Sequence, residues 1–144
     1  WVLSEECERD ASEMQAMKIL VVDDDAMAAE MVAAVLQELG HSVVLAEHAM
    51  QAVECLQAEP EIALIVSDMH MPLLSGIELF QELRAQGCQL PFILLTGDEP
   101  GTLFAQEPRL DACLAKDFSL PDALPTTLAQ VLARAPSGPR TSQP

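Results

Sequence analysis

Ile62-Ala63-Leu64-Ile65-Val66-Ser67-Asp68-Met69-His70-Met71-Pro72-Leu73-Leu74-Ser75-Gly76 is the stretch from which the fold is read. Its first five residues are apolar without a break, the pattern of a strand covered on both faces. The run ends on a carboxylate, Asp68, where a buried strand reaches the edge of its sheet. Pro72 and Gly76 then impose a loop before helical spacing resumes. In a parallel α/β sheet the carboxyl ends of the strands are where ligands and chemistry gather. Other strand ends delivering groups to that same edge would therefore define a site.

Toward the N-terminus, Lys18–Val22 is a second compact apolar run, and it ends in Asp23-Asp24-Asp25. Met27, Met31, Val35 and Leu39 recur at helical spacing, and Gly40 follows as a stop. Residues 42–46 read as a strand. Residues 48–58 read as a helix with Ala49, Ala52, Val53 and Leu56 on one side, broken by Glu59-Pro60-Glu61. Toward the C-terminus, a helix is expected over Gly76–Ala85, ended by Gly87. A strand over 90–96 with Phe92, Ile93, Leu94 and Leu95 follows. Residues 97–108 are rich in Gly and Pro, so any helix there is short, about 102–106. A fifth strand is expected over 111–115, ending at Lys116. The last helix should reach residue 135, with Pro121 in its first turn and a restart near Pro125, because proline deeper in a helix removes a hydrogen bond. Five strands alternating with five helical segments predict a parallel sheet with helices on both faces.

The expected organisation is one domain over 18–135. A polar, acid-rich linker or extension over 1–17 precedes it, and a Pro/Ser/Gly-rich disordered tail over 136–144 follows. Half the 144 residues are hydrophobic and only 3% aromatic, so the core must be built from Leu, Val, Ile, Ala and Met. Met27, Met31, Met50, Met69 and Met71 are read as core filler. His41 and His48 are read as surface or packing residues. The formal charge is −16, which excludes the basic face that direct nucleic-acid binding or an anionic membrane requires. No apolar run approaches the roughly 18 residues of a membrane span. Cys7, Cys55, Cys88 and Cys113 form no metal-ligand spacing and read as free thiols of a reducing, cytoplasmic environment.

The strand ends carry Asp23 and Asp24, Asp68, Thr96 and Lys116. If the first and third strands are neighbours, three carboxylates meet, and like charges so close raise one another's pKa. A hard divalent cation such as Mg²⁺ resolves that conflict through carboxylate oxygens. The plainer reading is that Asp24 or Asp25 caps the first helix.

Ile19-Leu20-Val21-Val22-Asp23-Asp24, Ser67-Asp68-Met69-His70-Met71-Pro72 with Gly76, Leu94-Leu95-Thr96-Gly97 and Ala115-Lys116 together resemble the receiver domain of two-component response regulators. The resemblance implies a flavodoxin-like, doubly wound five-stranded sheet in order 2-1-3-4-5, with the site at the switch point between strands one and three. It implies that Asp68 is the nucleophile taking a phosphoryl group from a phosphohistidine of a sensor histidine kinase or phosphotransfer protein. Asp24 and Asp68 would bind Mg²⁺ directly, Asp23 through water, and His70 through its main-chain carbonyl. Lys116 and Thr96 would hold the phosphoryl oxygens, and Thr96 would sense them. Such a domain catalyses its own phosphorylation and slow dephosphorylation without being a turnover enzyme, and signals to a linked or downstream effector protein.

Three features depart from the pattern. Asp117 rather than Pro follows Lys116, Cys113 stands where a switch aromatic is usual, and the segment between Thr96 and Cys113 is full of helix breakers. They give weight to an alternative, a receiver-like interaction module that does not switch. A Mg²⁺-dependent aspartyl phosphohydrolase is a further alternative, but neither a DxD nucleophile motif nor a cap domain is visible.

Overall fold

The computed structural model of the chain describes residues 17–71, 73–97, 101, 105–107, 109–117 and 119–134. Five strands, β1 (Lys18–Val22), β2 (Ser42–Ala46), β3 (Ile62–Asp68), β4 (Phe92–Thr96) and β5 (Ala112–Ala115), form one parallel sheet in order β2-β1-β3-β4-β5. Four helices are described: α1 (Ala26–Glu38), α2 (Ala49–Ala58), α3 (Gly76–Ala85) and α4 (Leu120–Arg134). The doubly wound fold and its strand order are those that the resemblance implies. The leading segment before Met17, the tail from 135, Pro72, Asp98 and most of the expected helix over 102–106 lie outside the described residues.

Strand periodicity sorts the side chains into two cores. Leu20, Val22, Ile65, Phe92 and Leu94 pack with Ala49 and Ala52 of α2 and with Ile77, Leu79, Phe80 and Leu83 of α3. Ile19, Val21, Leu64, Val66, Ile93 and Leu95 point the other way, against α1 and α4. Fully burying a Leu or Ile side chain contributes about 1.5–3 kcal/mol, so the alternation along β1, β3 and β4 fixes which helices cover which face. The sheet edge where the strands end is thereby also fixed.

Two expectations about helices are corrected. The stripe Met27, Met31, Val35, Leu39 is not the core face of α1. Ala29, Val32, Ala33 and Leu36 are buried, whereas Met27, Met31 and Leu39 are exposed. Small alanines let the helix sit close to the sheet, which rotates the methionines outward. Met50 is also exposed, so only Met69 and Met71 of the five methionines pack against the core. The last helix, moreover, does not restart at Pro125 but runs through it. The acceptor that Pro125 leaves without a donor is the carbonyl of Pro121, in the first turn. Buried Leu120, Leu124, Leu128 and Val131 hold the helix to the sheet on either side of that gap.

His41 and His48 hold structural positions. His41 is buried, and its Nδ1 accepts from the Met17 N–H at 3.1 Å. His48 caps α2 by accepting from the Gln51 N–H. Cys55, Cys88 and Cys113 are free thiols, and burial pushes Cys113 up to about 11; Cys7 lies outside the described residues.

Candidate functional site

β1 and β3 are hydrogen-bonded neighbours, with Val22 opposite Ser67. Their ends therefore bring Asp23 and Asp68 side by side, and Asp24 follows in the loop. Carboxylate oxygens of Asp23, Asp24 and Asp68 lie within 4.8 Å of one another. Asp23 and Asp68 are buried and Asp24 is exposed.

Local chemistry holds each carboxylate in place. The Asp23 N–H donates to the Ala46 carbonyl at 3.0 Å, which ties the strand end to β2. Asp23 Oδ1 accepts from the Asp25 N–H at 2.9 Å. Asp25 is the cap of α1, its side chain accepting from the Met27 and Ala28 N–H groups. The capping role thus falls to Asp25, which leaves Asp24 for other work.

The peptide after Asp68 is fixed from several sides. The Met69 N–H donates to the Leu95 carbonyl at 2.8 Å, and the Met69 carbonyl accepts from the Gly76 N–H at 2.8 Å. The buried Ser67 hydroxyl donates to the Asp68 carbonyl at 3.0 Å. A Cβ at Gly76 would lie 2.5 Å from that carbonyl oxygen and against Leu94, so the loop closes only with glycine there. Ser75 and Glu78 form a capping box at the start of α3. Sequence reasoning missed the box, although Ser75-Gly76-Ile77-Glu78 carries its S-x-x-E pattern.

Lys116, just past β5, reaches across two strands to the carboxylates. Its Nζ lies 2.9 Å from Asp23 Oδ2 and 3.2 Å from Asp68 Oδ1. Burial, and then the neighbouring Asp23 charge, raises the Asp68 carboxyl above its ordinary value, and the pull of Lys116 does not cancel the rise. Burial alone would lower the Lys116 ammonium, but its hydrogen bond to Asp23 and the charges of Asp68 and Asp23 outweigh burial and raise it. One lysine among three carboxylates leaves net negative charge in a partly dry hollow. That donor set is hard and oxygen-rich, and it fits a small divalent cation such as Mg²⁺.

Thr96 is fully buried at the end of β4, and its carbonyl accepts from the Lys116 N–H at 2.6 Å. The hydroxyl-bearing and ammonium-bearing residues are thus linked through the main chain. Among the described residues there is no cis peptide bond, so the Lys116–Asp117 bond is trans. The side chain of His70 is exposed on the loop after β3. Cys113 is buried opposite Leu94, on the face covered by α2 and α3.

The comparisons with known proteins agree with this arrangement. The profile of the response regulator receiver domain matches residues 19–128. A chemotaxis protein CheY homolog of Campylobacter jejuni is 31% identical over 121 residues, covering 81% of this chain and 92% of that protein. Response regulator MprA of Mycobacterium avium is 34% identical over 128 residues, covering 89% of this chain and 53% of that protein; the chain spans about half its length. Among solved structures, response regulator protein TrrA of Thermotoga maritima, in complex with Mg²⁺–BeF, superposes with a TM-score of 0.71 at 28% identity, covering 80% of this chain and 98% of that one. The Francisella response regulator 1452 receiver domain superposes with a TM-score of 0.73 at 29% identity, covering 83% and 99%. Fold, strand-end carboxylates and sequence thus converge, and the chain belongs to the response regulator receiver domain family.

Proposed function

We propose that this chain is a phosphoacceptor module of a two-component phosphorelay. Asp68 takes a phosphoryl group from a phosphohistidine on a sensor histidine kinase or a phosphotransfer protein. The change is then signalled to a linked or downstream effector protein. The observation that carries the reading is the meeting of Asp23, Asp24 and Asp68 around the Lys116 ammonium.

Asp24 and Asp68 directly, Asp23 through water, and the His70 main-chain carbonyl would hold Mg²⁺. The similar TrrA structure contains Mg²⁺ with BeF. When bound, the ion supplies positive charge for the equatorial phosphoryl oxygens. The chain's own groups do the rest. An Asp68 carboxylate oxygen attacks phosphorus as the bond to the donor imidazole nitrogen breaks, giving a mixed anhydride that water later hydrolyses. Lys116, already in contact with Asp68, turns its ammonium to the phosphoryl oxygens. Thr96 donates its hydroxyl to them, and movement of Thr96 carries the loop after β4 and biases two conformations. The module catalyses its own phosphorylation and slow dephosphorylation and no independent turnover.

We assign this unit to residues 18–135 and to the cytoplasm. Among the described residues no helix is long and apolar enough to cross a membrane. A formal charge of −16 fits protein partners rather than direct contact with nucleic acid.

One observation favours a second reading, a receiver that docks without switching. Cys113 is a small buried thiol where an aromatic ring would couple to Thr96. Beryllium fluoride with Mg²⁺, followed by amide NMR, separates the two. Switching predicts shifts at Asp68, Gly97 and Lys116 that extend along β5. Shifts confined to the loops bearing the carboxylates, or no Asp68-dependent shift at all, favour the second reading.

A further inference from the structure

We infer that Asp111, oriented by Arg84, is a positioning residue for Lys116. The pair locks the register of β5 on β4 at the end of the sheet opposite the carboxylates, and the locked strand delivers the lysine to Asp23 and Asp68. The expected effect on rate rests on the phosphoacceptor reading above; the lock itself does not.

β5 is poorly equipped to fix its own register. It has four residues, is paired on one side only, and follows a connection that holds Gly97, Pro100, Gly101 and Pro108. Two of its side chains, Ala112 and Ala115, are too small to discriminate strongly between neighbouring registers. Yet the register decides where Lys116 stands. A slip of one residue turns the lysine to the opposite face, and a slip of two carries it about 6.6 Å along the strand. Either would take Nζ from its contacts at 2.9 Å with Asp23 and 3.2 Å with Asp68.

Asp111 supplies the missing specification. Its N–H donates to the Phe92 carbonyl at 3.2 Å, and its carboxylate Oδ2 accepts from the Phe92 N–H at 2.8 Å. One residue thus binds both main-chain groups of Phe92, immediately before the ladder opens with Ala112 opposite Ile93. In a strand slipped by one residue, Leu110 or Ala112 would face Phe92, and neither side chain has an oxygen to offer.

The far end of α3 holds Asp111 in place. Arg84 Nη2 lies 3.4 Å from the same Oδ2, while Arg84 Nη1 donates to the Cys88 carbonyl at 3.0 Å. The Arg84 guanidinium also lies over the Phe80 ring, 4.5 Å from its centre. Arg109 approaches the same ring at 5.5 Å and forks onto Glu107, a buried carboxylate that accepts from Gln81 as well. Phe80, Gln81 and Arg84 thus grip Glu107, Arg109 and Asp111, the residues that lead into β5. At its other end α3 is tied through the Gly76 N–H to the Met69 carbonyl, one residue after Asp68. A helix of ten residues, about 15 Å long, therefore joins the loop of the nucleophile to the start of the strand that carries the lysine.

The test follows labelling of Asp68 by acetyl phosphate with Mg²⁺ in the full chain. Asp111→Ala should slow labelling at least about tenfold, as a displaced catalytic group does, without weakening Mg²⁺ affinity measured by calorimetry. Asp111→Asn keeps an oxygen for the Phe92 N–H and should recover most of the rate. In a Lys116→Ala background, Asp111→Ala should slow labelling no further, because the lysine through which it acts is gone. Arg84→Gln should show the same pattern more weakly, and it carries the test if Asp111→Ala does not fold. An unaltered rate in Asp111→Ala, further slowing in the Lys116→Ala background, or a parallel loss of Mg²⁺ affinity overturns the positioning role. Hydrogen exchange in the metal-free chain reads the lock without phosphoryl transfer. Asp111→Ala should quicken exchange of the Lys116 N–H, which donates to Thr96, and leave the Met69 N–H as it was; equal quickening at both would make Asp111 a general stabiliser and overturn the lock. If the unaltered chain is not labelled while exchange behaves as expected, the phosphoacceptor reading fails and the lock stands.

Discussion

Asp68 has been drawn out of water beside Asp23, and Lys116 makes that arrangement tenable by contacting both. Removing one partner from a buried ion pair costs about 3–5 kcal/mol, because the charge left behind is uncompensated. Lys116 keeps part of its side chain in water, so Lys116→Ala should destabilise the metal-free domain by less, about 1–3 kcal/mol. Mg²⁺ should then return part of the loss by taking over the carboxylates. Urea unfolding with and without Mg²⁺ measures this, and a deficit that Mg²⁺ leaves unchanged would make the lysine purely structural. His41 gives a pH prediction away from the site. Burial lowers its pKa, and its Nδ1 is committed as acceptor to Met17. The unfolded chain therefore binds that proton more tightly than the folded one. Its stabilising contribution is complete above the unfolded imidazole value of about 6.5 and is lost as pH falls below it. Denaturant midpoints taken between about pH 7.5 and pH 5.5 should fall in the parent chain and fall less in His41→Gln; parallel slopes would rule the histidine out.

Elements set the precision of the site, and the connection from β3 to α3 is the most constrained of them. Gly76 must approach the Asp68 carbonyl more closely than any Cβ allows. Gly76→Ala should thus cost about 2 kcal/mol or more and weaken Mg²⁺ binding by shifting the loop that carries Asp68. Calorimetric Mg²⁺ titration checks this, and unchanged affinity would mean that the loop absorbs the methyl group. The strands were legible as apolar runs because a doubly covered strand has no polar face to confuse the reading. β4 begins at Phe92 rather than at residue 90, directly after Pro91, which has no N–H to give to a ladder; the Phe92 N–H itself donates to the Asp111 carboxylate at 2.8 Å, a partner nineteen residues away. The buried face of α1 was misread because Met27 and Met31 outweigh alanines on any hydrophobicity scale. What the sheet selects is side chains small enough for close approach, Ala29 and Ala33. Pro125 misled for a related reason: a local rule about one hydrogen bond lost to four buried aliphatic contacts along the same helix.

At the scale of the molecule, the sheet order is what turns scattered acids into a site. Asp23 and Asp68 are forty-five residues apart, and only the adjacency of β1 and β3 makes them neighbours. Apolar runs ending in Asp, Asp, Thr and Lys could be read along the chain, whereas the strand order rested on the resemblance to receivers. The reach of Lys116 to both buried carboxylates became visible only once three strand ends shared an edge. The central claim is that this edge accepts a phosphoryl group on Asp68. Intact-mass measurement with peptide mapping, after incubation with acetyl phosphate and Mg²⁺, tests it most directly. The account predicts one phosphoryl per chain, on Asp68, absent without Mg²⁺ and absent in Asp68→Asn. Normal labelling of Asp68→Asn, or no labelling of the unaltered chain, would contradict it.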